Sequence, residues 1–293
     1  MLHRFGLSAA LSLVLPTIAL QAQEWDGLRS ARGWARFDAT GAATFYDSSS
    51  RQLITWMKEG GILSRIDLAK AEMAPERWVS DDEYTWIMAG ATMKQISKTG
   101  QVLHTVTLPA EAADADFIPP NGIAISYRTL TPFIERRDIK SGSVAWTFGK
   151  KPKKGESTPR ILHRIFRNDE TNLVIVSRDD MFATVLDSKK GTALGQAVFT
   201  YNDGAPPQVS LGERDRGSVV WWWGKNVAFS ALPASSVAGL NQKGLVLARM
   251  DFSASTLEFI PTGVTEDFSL AGIIEDKAAL VAPNGGMVSI QVK

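Results

Sequence analysis

Along most of the chain apolar and polar residues alternate in runs of four to six, and short polar turns interrupt the runs at a near-regular interval. The turns read Lys58-Glu59-Gly60-Gly61-Ile62-Leu63, Lys98-Thr99-Gly100-Gln101-Val102-Leu103, Lys140-Ser141-Gly142-Ser143-Val144-Ala145, Lys189-Lys190-Gly191-Thr192-Ala193-Leu194 and Ala254-Ser255-Thr256-Leu257-Glu258-Phe259. Measured from Gly60 through Gly100, Gly142 and Gly191 to Ser255, the spacing is 40, 42, 49 and 64 residues. Alternation of period two belongs to strands with one buried face, and a tight hairpin commonly needs a residue at positive φ, which glycine adopts without a Cβ clash. Four glycines meet that need. Ser255 replaces the fifth, which predicts a different turn type there.

A second series of hairpins precedes each of these turns. Strands are expected from Trp34, Arg77, Asp116, His163, Gln208 and Asp267, followed by Ala43 to Asp47, Tyr84 to Met88, Ile123 to Tyr127, Leu173 to Ser177, Ser218 to Trp223 and Ala278 to Val281. Turn formers such as Asp38-Ala39-Thr40-Gly41 and Pro119-Pro120-Asn121-Gly122 lie between the members of a pair. The units so defined span about 34–68, 77–108, 116–148, 161–199, 208–260 and 267–292. The last shows three strands, and Trp25 to Ser30 is the segment expected to supply its fourth.

Repeats of this period and content resemble the β-propeller superfamily, in particular the six-bladed exported propellers grouped with NHL-like, TolB-like and quinoprotein-like repeats. The resemblance covers residues 34 to 292 and implies an all-β, six-bladed β-propeller with four-stranded antiparallel blades. Asp138 to Trp146 approaches the quinoprotein repeat, with Ser141-Gly142 at its Thr-Gly pair, but one copy assigns no cofactor, and the cofactor is left unknown. The sialidase box is absent at Ser97-Lys98-Thr99-Gly100, which lacks its aspartate.

Composition narrows the function classes. Arg4, the apolar stretch Phe5 to Leu15 and small residues up to Ala22 read as a secretory signal peptide over 1–22, so a periplasmic or secreted protein is expected. Removing 22 residues leaves 271, and losing Arg4 leaves 31 basic side chains against 31 acidic. Such neutrality argues against nucleic acid as a partner, and no later apolar run is long enough to span a bilayer. There is no cysteine, which excludes disulfides and thiolate chemistry. A monomer is expected.

In a unit of antiparallel strands A to D, counted outward from the axis, the A–B and C–D turns emerge on one face and the B–C and D–A connections on the other. The long irregular segments fall on the second face, where binding groups are expected. It carries Glu72, Glu76, Glu111, Asp114 and Asp116 from the first two crossings and Lys150-Lys151-Pro152-Lys153-Lys154 from the third. Candidate binding residues there are Arg128, Arg178, Asp179, Asp180, Lys225 and Asn226, which follow B strands, and Trp223, at the upper end of the run Trp221-Trp222-Trp223. Gly224 to Gly244 reads as an insertion between B and C of the fifth unit. No histidine pair has metal-ligand spacing, no metal site is assigned, and Gln208 stands where a serine nucleophile elbow needs glycine. No catalytic residue is assigned. The favoured function is a binding or assembly module for a protein or glycan; the alternative is a metal-dependent hydrolase or lyase, lactonase-like or glycan-active, using carboxylates at the axial mouth.

Overall fold

The computed structural model describes residues 31–37, 42–57, 61–81, 83–153, 163–167, 172–177, 182–201, 221–223, 227–274, 276–282 and 287–292. Within them the regular structure is strand, apart from two one-turn 3-10 segments at Ala69–Ala71 and Ala234–Ser236. The first sheet pairs β1 (Ala31–Phe37), β2 (Ala43–Asp47), β3 (Gln52–Met57) and β4 (Gly61–Asp67). β5 (Arg77–Ser80), β6 (Thr85–Ala89), β7 (Thr92–Ile96) and β8 (Val102–Thr107) make the second, and β9 (Ala112–Ile118), β10 (Gly122–Tyr127), β11 (Ile134–Asp138) and β12 (Val144–Phe148) the third. The fourth holds β13 (His163–Arg167), β14 (Asn172–Ser177), β15 (Phe182–Asp187) and β16 (Ala193–Val198). The fifth holds β17 (Trp221–Trp223), β18 (Val227–Pro233), β19 (Leu245–Asp251) and β20 (Thr256–Pro261), while β21 (Ser269–Ile274), β22 (Lys277–Val281) and β23 (Met287–Gln291) form a three-stranded sixth. All pairings are antiparallel between sequence neighbours, as the alternation predicts.

The core lies between sheets rather than within any one of them. Tyr46 and Leu53 of the first sheet pack with Trp78, Ile87 and Ile96 of the second. Trp86, Met88 and Met93 continue into Ile123, Ile125 and Tyr127 of the third. Ile118 and Ile134 meet Leu186 of the fourth, Ala183 meets Val246 and Met250 of the fifth, and Phe229 and Leu247 meet Leu270 and Leu280 of the sixth. Among first strands, β9 contacts β5 and β13, β17 contacts β13 and β21, and β21 contacts β1. A sheet of this size hides one apolar face only by stacking, so each depends on its neighbours.

The turns that repeat in the sequence are also the joints between sheets. A Cβ on Gly100 would stand 2.0 Å from the Asp67 carbonyl oxygen at the end of β4, one on Gly142 would stand 2.8 Å from the Trp86 ring, and one on Gly191 2.6 Å from the Trp146 ring. Each glycine has positive φ, so it is required twice over. Trp86 Nε1 donates to the Ile139 carbonyl (2.5 Å) and Trp146 Nε1 to that of Ser188 (3.1 Å), in both cases across to the next sheet's turn. At the fifth turn Ser255 has φ +53, the same left-handed conformation as the glycines. Ser255 holds a positive φ in spite of its Cβ, while its carbonyl accepts from Thr200 N–H (3.1 Å).

The first four sheets share a bulge on the outer strand, which leaves Leu63, Leu103, Ala145 and Leu194 out of register; the fifth has none. In its place Thr200 pairs alongside Thr256 on that edge. Bulges and covering segments both blunt an exposed strand edge.

The fifth unit needs a larger correction. Among the described residues Trp221–Trp223 is the first strand of this sheet, not the second, and 227–233 is strand β18, so Gly224 to Gly244 is not an insertion between B and C. The wide spacing arises upstream, between β16 and β17. A three-residue strand followed by an apolar β18 offered two registers to a period-two reading, and only pairing with β19 separates them. The expected strand at Gln208 and the closing segment Trp25 to Ser30 lie outside the described residues.

Candidate functional site

Because successive strands reverse direction, Glu76 and Arg77 enter the first strand of the second sheet from the same side as Glu111 and Asp114 enter the first strand of the third. Arg128, leaving β10, emerges on that side too. Three separate chain segments thus deliver charge to one joint. Arg128 is 5% exposed; its Nη2 lies 3.7 Å from Glu76 Oε2 and its Nε 3.8 Å from Glu111 Oε2, while the two glutamates are 52% and 46% exposed. Those distances are ion-pair contacts beyond hydrogen-bond range. The Nε of Arg128 is buried and has no hydrogen-bond partner among the described residues.

Arg77 opens β5 at the same joint. Its Nε donates to the Ala113 carbonyl (3.0 Å), its Nη1 to the Glu76 carbonyl (2.6 Å), and Asp114 Oδ1 stands 3.9 Å from the Nε. The guanidinium ties the second sheet to the third. Below Arg128, Tyr127 Oη donates to Glu135 Oε2 (2.6 Å), which also accepts from Arg137 Nε (2.8 Å) and Nη2 (2.5 Å). Burial, and then the Glu135 carboxylate, raise the Tyr127 phenol well above its ordinary pKa, so it stays a donor. Arg137 Nη1 continues to the Gly142 carbonyl (2.8 Å). The loop that carries Arg128 therefore starts from a rigid buried network, with Phe133 packed on Tyr127 at 5.4 Å between centroids. At its tip Leu130 is 60% exposed.

Of the residues expected at the site, Arg128 is placed here, beside Glu76 and Glu111. Arg178, Asp179, Asp180, Lys225 and Asn226 lie outside the described residues. Trp223 pairs with Val227 at the closed end of the β17–β18 hairpin, the end occupied by A–B turns, so the strand correction moves it to the face opposite Arg128. Of the expected basic run, Lys150 to Lys153 follow β12 on the loop side, and Lys154 is outside the described residues. Arg77 was missed: its signal is a charged residue directly before two buried apolar ones, Arg77-Trp78-Val79. Among the described residues no group of three or more His, Asp or Glu side chains is placed to hold a metal ion.

No family model matches the sequence, and neither does any curated protein. Solved structures do resemble it. Virginiamycin B lyase from Staphylococcus aureus superposes with a TM-score of 0.55 at 14% identity over 88% of this chain and 79% of the lyase. The Pan2 WD40 domain of Neurospora crassa gives 0.53 at 8% identity over 88% and 74%, and BamB from Moraxella catarrhalis 0.50 at 14% over 88% and 72%. At such identities the likeness concerns backbone architecture and carries no activity across. Sheets paired in sequence order, stacked through apolar faces and matched by propellers of dissimilar sequence lead to one conclusion: this protein has the fold of a β-propeller.

Proposed function

We propose that the protein is a non-enzymatic binding or assembly module, exported to the periplasm or beyond, which engages a protein or glycan with its loop face. Its six sheets would form a closed six-bladed ring, a reading supported by the contact of β1 with β21, and it would act as a monomer without binding nucleic acid. The observation that carries the function is the joint of the second and third sheets. There two half-exposed carboxylates flank a buried guanidinium whose Nε has no hydrogen-bond partner among the described residues, and an exposed leucine follows two residues along the chain. Fixed polar groups beside an exposed apolar tip on a rigid scaffold suit recognition.

The test compares partner recovery by the wild-type chain, by Leu130→Glu/Thr131→Glu on the loop face, and by Lys98→Glu/Lys140→Glu on the turn face. Selective loss with the first pair is expected. Equal recovery by all three would remove the loop face from the mechanism. A lyase stands among the structural neighbours, so the scaffold admits catalysis; metal-dependent turnover of an ester or glycoside by the wild-type chain would favour a hydrolase or lyase instead.

A further inference from the structure

We propose that the joint above the second and third sheets takes an extended peptide segment of a protein partner, one that presents a basic side chain next to an apolar one. The inference rests on the loop face being the binding surface and names the ligand class. Three features select it. The Nε of Arg128, buried and without a hydrogen-bond partner among the described residues, asks for an acceptor. Glu76 and Glu111 expose half their surface and contact only the one guanidinium in common, so two carboxylates share a single positive charge and ask for another cation. Leu130, the most exposed large apolar side chain among the described residues, projects from the loop that Arg128 begins.

A simple anion would satisfy Arg128 but meet both carboxylates, and a simple cation would answer the carboxylates but leave the Nε donor unmet. A peptide supplies both groups on one molecule: an arginine or lysine side chain draws the half-exposed Glu76 and Glu111 carboxylates toward itself, and a main-chain carbonyl takes their place against the Arg128 guanidinium. Its apolar neighbour would cover Leu130. A neutral oligosaccharide offers hydroxyls to the same groups and gains nothing from the excess negative charge.

The experiment titrates the whole isotope-labelled chain with acetyl-Leu-Arg-Leu-amide, acetyl-Leu-Gln-Leu-amide and maltotriose, following backbone amide shifts. The arginine peptide is expected to shift residues 76–77, 111–114 and 128–131 and to bind about tenfold more tightly than the glutamine peptide. That preference should shrink as salt rises from about 0.05 M to about 0.5 M, because the pairs are half solvated. Glu76→Gln/Glu111→Gln should abolish it. If that variant fails to fold, Leu130→Ser, altered only at an exposed tip, should weaken acetyl-Leu-Arg-Leu-amide while leaving acetyl-Gly-Arg-Gly-amide unchanged. Equal affinity for the arginine and glutamine peptides, shifts confined elsewhere, or preference for maltotriose would overturn the proposal. If Leu130→Glu/Thr131→Glu abolishes partner recovery while the two peptides bind alike, the ligand class fails and the binding face stands; if recovery is untouched, both fail.

Discussion

Replacing Gly100 by alanine isolates the force that joins one sheet to the next. At φ +81 an L-residue pays a conformational penalty of about 1–2 kcal/mol, and the new Cβ would lie 2.0 Å from the Asp67 carbonyl oxygen. Ordinary contact starts at 3.4 Å, so backbone of the first or second sheet has to move by more than an ångström. Overpacking of that kind adds about 1–3 kcal/mol, for a total of about 2–5 kcal/mol. Gly263 provides the control: its φ is +74 and a Cβ there meets nothing within 4 Å, so Gly263→Ala carries the conformational term alone, about 1–2 kcal/mol. Urea unfolding followed by tryptophan fluorescence reads both, and the difference corresponds to roughly 2–4 °C in Tm for each kcal/mol. Equal losses within about 0.5 kcal/mol, the scale of ordinary surface substitutions, would refute the view that these turns are inter-sheet joints.

Ser255→Gly at φ +53 should raise stability by about 0.5–1 kcal/mol, since the hydrogen bond from Thr200 to its carbonyl is kept; an unchanged or lower urea midpoint would contradict this. Glu135→Gln removes the charge that Arg137 faces in a buried site and should cost about 3–5 kcal/mol, and a loss below about 1 kcal/mol in the same measurement would show that the network is not a structural anchor. Asp138, Asp187 and Asp251 are held below the usual aspartate range, chiefly by the Ser141 N–H, the Lys190 N–H and the Ser253 hydroxyl respectively. Their folded pKa values are depressed, so their stabilisation is complete above about pH 4 and disappears as pH falls through the lowered values. The Asp138→Asn/Asp187→Asn/Asp251→Asn variant should show a flatter urea midpoint against pH on the acid side than wild type, and parallel curves would refute the assignment.

The strands were legible because their cause is local. Period-two alternation predicts Ala43–Asp47 at its observed bounds and the other B strands, outside the fifth unit, to within a residue or so, and the turn residues need only their own φ. Alternation failed at Trp221–Trp223, where three identical side chains carry no phase and β18 is apolar on both faces. At the candidate site, chain position alone put Glu76, Glu111, Asp114 and Arg128 on the loop face. It could not say which carboxylate meets which guanidinium, nor that Arg77 reaches Ala113, because those partners are set by how one sheet stacks on the next.

What the sequence by itself determined, then, is the strand order outside the fifth unit, the positive φ of the turns at Gly100, Gly142 and Gly191, and the side of the molecule on which the charged crossings lie. All of these follow from steric preferences of a few consecutive residues. Tertiary structure alone decided the joints: Gly100 against Asp67, Trp146 against the turn at Ser188, and Arg128 between Glu76 and Glu111. These contacts link residues some 17 to 52 positions apart, and their geometry comes from filling the space between two apolar sheet faces, a condition that no short stretch of sequence encodes.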